Sequence, residues 1–208
     1  AWIDADIEFL NKNWVHETIE ELQTADVVQL FQTCVNLGPN GEALKTDKSF
    51  GYMAKGSGMP WVPNDRCWFW HPGYAWACTR PAWDKMGGLI DWAILGSGDR
   101  HMAMALIGKV LDSCHGGVHA NYKALLRKFQ CNAKGLRLSW VEGTIVHFWH
   151  GSLENRRYKE RWDILVQNNF DPFTDVGLDA TGQMHLSAAG RRLEPHLVKY
   201  FLGRAEDS

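Results

Sequence analysis

Trp2-Ile3-Asp4-Ala5-Asp6 is the stretch from which the fold is read. Ala1 to Ile3 is apolar and reads as the end of a buried strand that runs straight into two carboxylates at i and i+2. If the backbone stays extended, both side chains point to one face. In open α/β sheets, ligands bind beyond the carboxyl ends of strands. Two carboxylates in such a place make a hard-oxygen site suited to Mg2+ or Mn2+ and to diphosphate oxygens. D-x-D also serves as a turn or cap pattern, so its meaning depends on the rest of the chain.

Outward from that stretch, helical and extended patterns alternate. Residues 13 to 23 predict a helix with Val15, Ile19 and Leu22 on its inner face. Val27 to Phe31 suits a strand, and residues 36 to 66, rich in Gly, Pro, Asn and Asp, predict a long loop. Trp68 to Cys78 reads as extended and broken at Pro72-Gly73; a short helix from Pro81 stops at Gly87-Gly88. Further helices are predicted from Asp99 to Gly108, over 119 to 134 and over 155 to 168, with strands at Leu136 to Trp140 and Thr144 to Trp149. Residues 170 to 186 read as irregular, and 188 to 203 as a last helix disturbed by Gly190 and Pro195. The alternation predicts an α/β domain.

Composition excludes several classes. Of 208 residues, 45% are hydrophobic and 22% charged, values that support a packed core. A net charge of −2 gives no global drive toward nucleic acid. The local run Arg156, Arg157, Lys159 and Arg161 is either a solvated helix face or a phosphate contact. Five cysteines, an odd number without C-x-x-C spacing, fit neither a disulfide framework nor a zinc knuckle and point to a reducing compartment. With no run of about 18 apolar residues and no signal peptide, the chain reads as cytoplasmic with no membrane partner. Eleven tryptophans divide between core and flat faces able to stack on a sugar or base.

Three further segments carry chemistry. In His147-Phe148-Trp149-His150-Gly151, an unbroken strand would send the two imidazoles to opposite sides, but Gly151 permits a bend at the strand's end. One imidazole can then complete a Mn2+ site that already holds a carboxylate. Small residues interleave with aromatics in Gly73-Tyr74-Ala75-Trp76-Ala77, which lets a substrate approach the backbone. Asp99, after the Gly96-Ser97-Gly98 turn, is placed either as an N-cap or as a general base projecting into a cleft.

In this order the segments resemble GT-A type glycosyltransferases, most closely glycosyltransferase-like proteins of bacteria and their phages. The resemblance runs through Ala1 to Ile7, Gly73 to Ala77, Met86-Gly87-Gly88-Leu89, Gly96 to Ala103, His147 to Gly151 and Asn155 to Trp162. It implies a partial GT-A mixed sheet flanked by helices over 1–152, with a helical extension over 153–208. It implies that Asp4 and Asp6 hold Mn2+ or Mg2+ on the donor diphosphate, and that His150, with His147 as second choice, completes the metal shell. Asp99 is implied as the base, although the usual acidic pair is here Gly98-Asp99. Gly73, Tyr74, Ala75, Trp76, His147, Trp149, Arg156 and Arg157 are implied as the donor and acceptor cleft. The implied donor is a UDP-sugar, the acceptor a glycan, a protein or a modified DNA base, and the setting a bacterial or phage-infected cell. GT-A domains place roughly a hundred nucleotide-binding residues before the D-x-D. The opening of this chain therefore predicts a fragment of a longer polypeptide, or a sheet edge covered by a partner chain or self-association. Two alternatives stand beside this reading: a Zn2+ hydrolase using His147, His150 and an Asp, and a non-catalytic glycan-binding module.

Overall fold

The two aspartates divide one apolar stretch into two strands that join different sheets. The structure, a computed structural model, describes residues 1–58, 70–152 and 157–204. β1 (Trp2–Ile3) and β2 (Ile7–Phe9) precede α1 (Trp14–Glu21), β3 (Val27–Gln29), β4 (Thr33–Leu37), β5 (Ala43–Ser49) and α2 (Phe50–Lys55). β6 (Trp70–His71), β7 (Ala75–Cys78), α3 (Arg80–Met86), α4 (Gly98–Leu106), α5 (Ala120–Ala133), β8 (Leu138–Trp140) and β9 (Thr144–His147) follow. The chain then runs through α6 (Glu160–Gln167), β10 (Val176–Leu178), β11 (Met184–Leu186) and α7 (Glu194–Leu202). The strands form a mixed sheet in the order β1-β7-β3-β8, a mixed sheet in the order β2-β9-β4-β5-β6, and the β10-β11 hairpin. The architecture is mixed α/β.

The two-residue period of the first sheet separates two apolar clusters. Val27 of β3 and Trp76 of β7 pack into the larger cluster with Tyr122, Leu126 and Phe129 of α5. Val28, Ala75 and Ala77, one position along, pack with Phe31, Cys34 and Ile145 on the other face. Ile164, Leu165, Phe170, Leu193 and Tyr200 join the larger cluster, so the C-terminal segment shares the main core. Ser49 caps α2 by accepting from Tyr52 N, Thr79 caps α3 by accepting from Ala82 N, and left-handed Gly87 ends α3.

Four expectations change. The loop over 36 to 66 is replaced, up to residue 58, by the antiparallel β4-β5 pair and α2. The turn at Gly38-Pro39-Asn40-Gly41 joins the two strands, and the polar β5 is stabilised by pairing rather than by an apolar face. The irregular stretch 170 to 186 contains the β10-β11 hairpin, because Asp179 Oδ1 accepts from the N–H groups of Thr181 and Gln183 and builds the turn. On α1, Val15 and Ile19 face solvent. Thr18 is buried instead, and Trp14 stacks on Phe9 at 4.2 Å. The larger indole takes the inner face, and Thr18 satisfies its hydroxyl on Trp14 O at 2.6 Å. Finally, β1 lies at the edge of its sheet with Ile3 42% exposed, where a buried strand end was expected. Four cysteines are free, and Cys67 lies outside the described residues. Among the described residues, no helix is long and apolar enough to cross a membrane.

The C-terminal elements are tied to one another by a buried carboxylate. Asp175 accepts from Arg192 through both oxygens, at 2.6 and 2.8 Å, and from Asp171 N at 2.8 Å. Burial alone raises the Asp175 pKa, but the hydrogen bonds from Arg192 and Asp171 outweigh it and hold the carboxyl below its ordinary value. A depressed folded-state pKa gives stability above the unfolded value of about 4 that is lost as pH falls through the folded one. Asp175→Asn is expected to cost about 2 kcal/mol at pH 7 by denaturant melts, discounted because Arg192 is half in water. The variant is also expected to lose less stability than the wild type between about pH 4 and pH 2.

Candidate metal site and cleft

The site is built on β9, which is paired along both edges. Its antiparallel partner β2 sets Ile7 opposite His147, and Phe148 N donates to Asp6 O at 2.9 Å. Its parallel partner β4 sets Asn36 opposite His147. The strand ends at His147, the chain turns through Phe148 and Trp149, and Gly151 takes φ +97°, which an L side chain rarely adopts. The bend returns His150 to His147. Their Nε2 atoms lie 3.0 Å apart, and Asp6 Oδ2 is 3.3 Å from His147 Nε2 and 3.1 Å from His150 Nε2. All three ligand atoms lie within 4.8 Å of one another. His147 is buried; Asp6 and His150 are half-buried.

A chain of hydrogen bonds orients His147. Lys45 Nζ lies 2.7 Å from the buried Asp47 Oδ1, and Asp47 Oδ2 accepts from Asn36 Nδ2 at 2.9 Å. This turns Asn36 Oδ1 toward the site, where it accepts from Tyr74 OH at 2.7 Å and meets His147 Nδ1 at 3.0 Å. An amide oxygen only accepts, so the network places a proton on Nδ1; in the neutral imidazole this leaves the Nε2 lone pair facing His150 and Asp6. Two imidazole nitrogens and a carboxylate oxygen converging so closely repel unless a proton or cation lies among them. Two nitrogens and one oxygen suit Mn2+, Fe2+ or Zn2+ better than Mg2+, which prefers an all-oxygen shell.

The adjoining wall is made by the 71–74 turn. Gln29 Nε2 donates to His71 O and Gly73 O, each at 3.0 Å, and Asp4 N donates to Tyr74 O at 2.8 Å. Tyr74 is held at φ 78°, with its ring stacked on His71 at 3.9 Å and tilted against His147 at 4.7 Å. Such a conformation costs on the order of 1 kcal/mol in a non-glycine residue. A Cβ at Gly73 would come within 3.0 Å of Asp99 Oδ2, so glycine is what allows Asp99 to stand against this wall.

These residues surround a cleft of about 1080 Å³ lined by Asp4, Asp6, Tyr74, Asp99, His147 and His150, and also by Ser97, Arg100, Tyr158, Arg161 and Trp162. Asp4 is in the cleft but not in the converging ligand group, where His147 stands instead. Loss of hydration, then the charges of Asp6 and Asp99, push Asp4 up to about 6. Asp99 is the second residue of α4 rather than its cap, which is Ser97. Asp99 still reaches solvent at the cleft, but loss of hydration there raises its pKa, against the opposing Arg100 N–H and the Arg161 charge.

Some residues expected in the cleft lie elsewhere. Ala75 and Trp76 are buried in the first sheet, where the Trp76 indole donates to Pro72 O, and central strand positions leave no face for a ligand. Trp149 is exposed on the bend and absent from the lining. Arg157 is also absent from it and pairs with Glu160 one turn on. Arg156 lies outside the described residues. Sequence reasoning passed over Asn36, Asp47 and His71, which lie in no recognisable motif; only the aromatic setting of His71-Pro72-Gly73 hinted at a role. No family model, curated protein or solved structure matches the chain.

Asp6→Asn and His147→Ala are each expected to weaken Mn2+ or Zn2+ binding at least tenfold by calorimetry. Asn36→Leu, which touches no metal, is expected to weaken it by about 10- to 100-fold by freeing the His147 tautomer. An affinity unchanged within about twofold in Asn36→Leu would show that the network does not orient the ligand.

Proposed function

We propose that the chain carries the metal-binding and acceptor part of a divalent-metal-dependent glycosyltransferase that moves a sugar from a UDP-sugar to an acceptor hydroxyl. The observation that supports this best is the pairing, in one cleft, of the Asp6-His147-His150 group with Asp99, a carboxylate of raised pKa outside that group. The resemblance in the order of the segments adds the substrate class. In this reading Asp6, His147 and His150 hold Mn2+, which supplies charge neutralisation at the diphosphate leaving group.

Asp99 accepts the proton of the acceptor hydroxyl as the oxygen bonds to the anomeric carbon and the bond from that carbon to the diphosphate oxygen breaks. A carboxylate whose pKa is raised toward neutrality is better matched to this task than an ordinary one. Gly73 leaves room beside Asp99, and the strained Tyr74 holds His71 and His147 in fixed orientation. Asp4, which feels the charges of both Asp6 and Asp99, stands where a donor hydroxyl can be held.

The nitrogen-rich ligand set favours one second reading. Two imidazoles, one carboxylate and an open position are also the set of a hydrolytic Zn2+ centre. The two readings separate on metal and product. Zn2+ retained through chelation, with ester or amide hydrolysis and no response to UDP-sugars, supports the hydrolase.

The test incubates the chain with a panel of UDP-sugars, with and without Mn2+, and follows UDP release. Mn2+-dependent release is the expected result, and absence of both UDP-sugar binding and release across the panel removes the transferase reading. Asp99→Asn is expected to lower turnover by at least about 100-fold while Mn2+ affinity stays within about twofold. Turnover near that of the wild type would remove Asp99 from the reaction.

A further inference from the structure

The cleft holds a cation that none of these roles uses. Arg161, on α6, lines it with its guanidinium carbon 4.8 Å from the Tyr158 ring and 5.7 Å from the Trp162 ring. Stacking on aromatic faces fixes the guanidinium plane without using its N–H donors. Among the described residues Arg161 makes no side-chain hydrogen bond or ion pair, and its Nε is buried without an acceptor. The Asp99 charge attracts it, yet no ion pair closes between them. A half-buried guanidinium with unused donors is costly unless a ligand completes it.

A second observation points to the same place. Ser97 is only 6% exposed, lines the same cleft, and has an Oγ with no partner. It is held at φ 77° and occupies the cap position of α4, but its hydroxyl does not cap the helix. The preceding Gly96 packs so closely on Arg161 that a Cβ there would approach Nη1 to 3.3 Å. The turn that presents Ser97 and the guanidinium are thus built against each other, beside the positive end of the nine-residue α4.

We infer that Arg161 and Ser97 form an oxyanion subsite, and that the ligand filling the Asp99 end of the cleft carries a carboxylate or a phosphate. The guanidinium fork presents paired N–H donors to two oxygens of such a group, and the Ser97 hydroxyl donates to one of them. Arg161 and Ser97 belong to the same cleft as the Asp6-His147-His150 group but not to that group itself. Calling this end the acceptor side rests on the transferase reading; on that reading the acceptor is an acidic or phosphorylated sugar.

Binding is measured by calorimetry on the 208-residue chain with D-glucuronate, glucose 6-phosphate and glucose as probes, in the presence of Mn2+. One or both charged sugars are expected to bind at least about tenfold tighter than glucose. The stronger of the two identifies carboxylate or phosphate as the natural group. Arg161→Gln is expected to reduce the charged probes to the level of glucose, and Ser97→Ala to weaken them about threefold, with Mn2+ affinity within about twofold in both. If Arg161→Gln does not fold, Arg161→Lys serves instead: it keeps the charge, loses the fork, and is expected to lower glucuronate affinity at least about fivefold. Equal binding of the three sugars, or an undiminished preference in the Arg161 variant, overturns the subsite and leaves Arg161 as a counter-charge to Asp99. Because no probe contains UDP, loss of the transferase reading in the UDP-sugar panel leaves this result standing, and the converse also holds.

Discussion

The double pairing of β9 is the constraint on which the site depends. His147 and Asn36 are 111 residues apart in sequence and meet because β9 runs parallel to β4. Asp6 reaches the same point because β2 closes on the other edge of β9. A slip of one residue in either ladder would turn the His147 side chain to the opposite face and disperse the group. Register is fixed by burial: Ile145 is fully buried on β9, and Cys34 is fully buried opposite it on β4. The packing that excludes water from the smaller apolar cluster therefore also sets the ligand geometry.

Electrostatics divides the cleft into two ends. One wall gathers Asp4 and Asp6 beside two imidazoles, with the Asn36-Asp47-Lys45 chain fixing which nitrogen of His147 faces inward. The other carries Arg161 on its aromatic bed and the unpartnered Ser97 hydroxyl. Asp99 interacts with both, raising Asp4 and attracting Arg161. This polarity suits a ligand with a metal-binding group at one end and an anionic group at the other.

Two non-glycine residues of positive φ, Tyr74 and Ser97, line the cleft. Each conformation costs on the order of 1 kcal/mol and persists only where surrounding bonds over-determine it. For Tyr74 those bonds are visible: Gln29 holds the turn before it, Asn36 holds its hydroxyl, and His71 stacks on its ring. The cost holds the wall of the site in one arrangement. His101, by contrast, is fully buried between Ser113 and Tyr122, and its pKa is pushed down to about 3 mainly by burial. It is a neutral core histidine, although it lies two residues from Asp99.

The sequence by itself determined the local elements whose signals are short-ranged. The helix from Ala120 to Ala133 follows from its apolar stripe, α3 from Pro81 and Gly87, and the bend after His147 from Gly151. It also marked Asp6, His150 and Asp99 as chemically placed residues, because a carboxylate after a strand, an imidazole before a glycine and an acid after a Gly-rich turn are local patterns. Tertiary structure alone decided which of them meet. His147 rather than Asp4 joins Asp6 and His150, since the bend brings two imidazoles together and the turn after β1 directs Asp4 to the adjoining wall. The polar β5 strand was not legible, because its stability comes from pairing with β4 rather than from its own side chains. Asn36 and Asp47 carry no pattern in sequence, and Ser97 was marked only as part of a Gly-rich turn; their roles come from hydrogen bonds, or an unfilled one, that exist only once distant segments are packed.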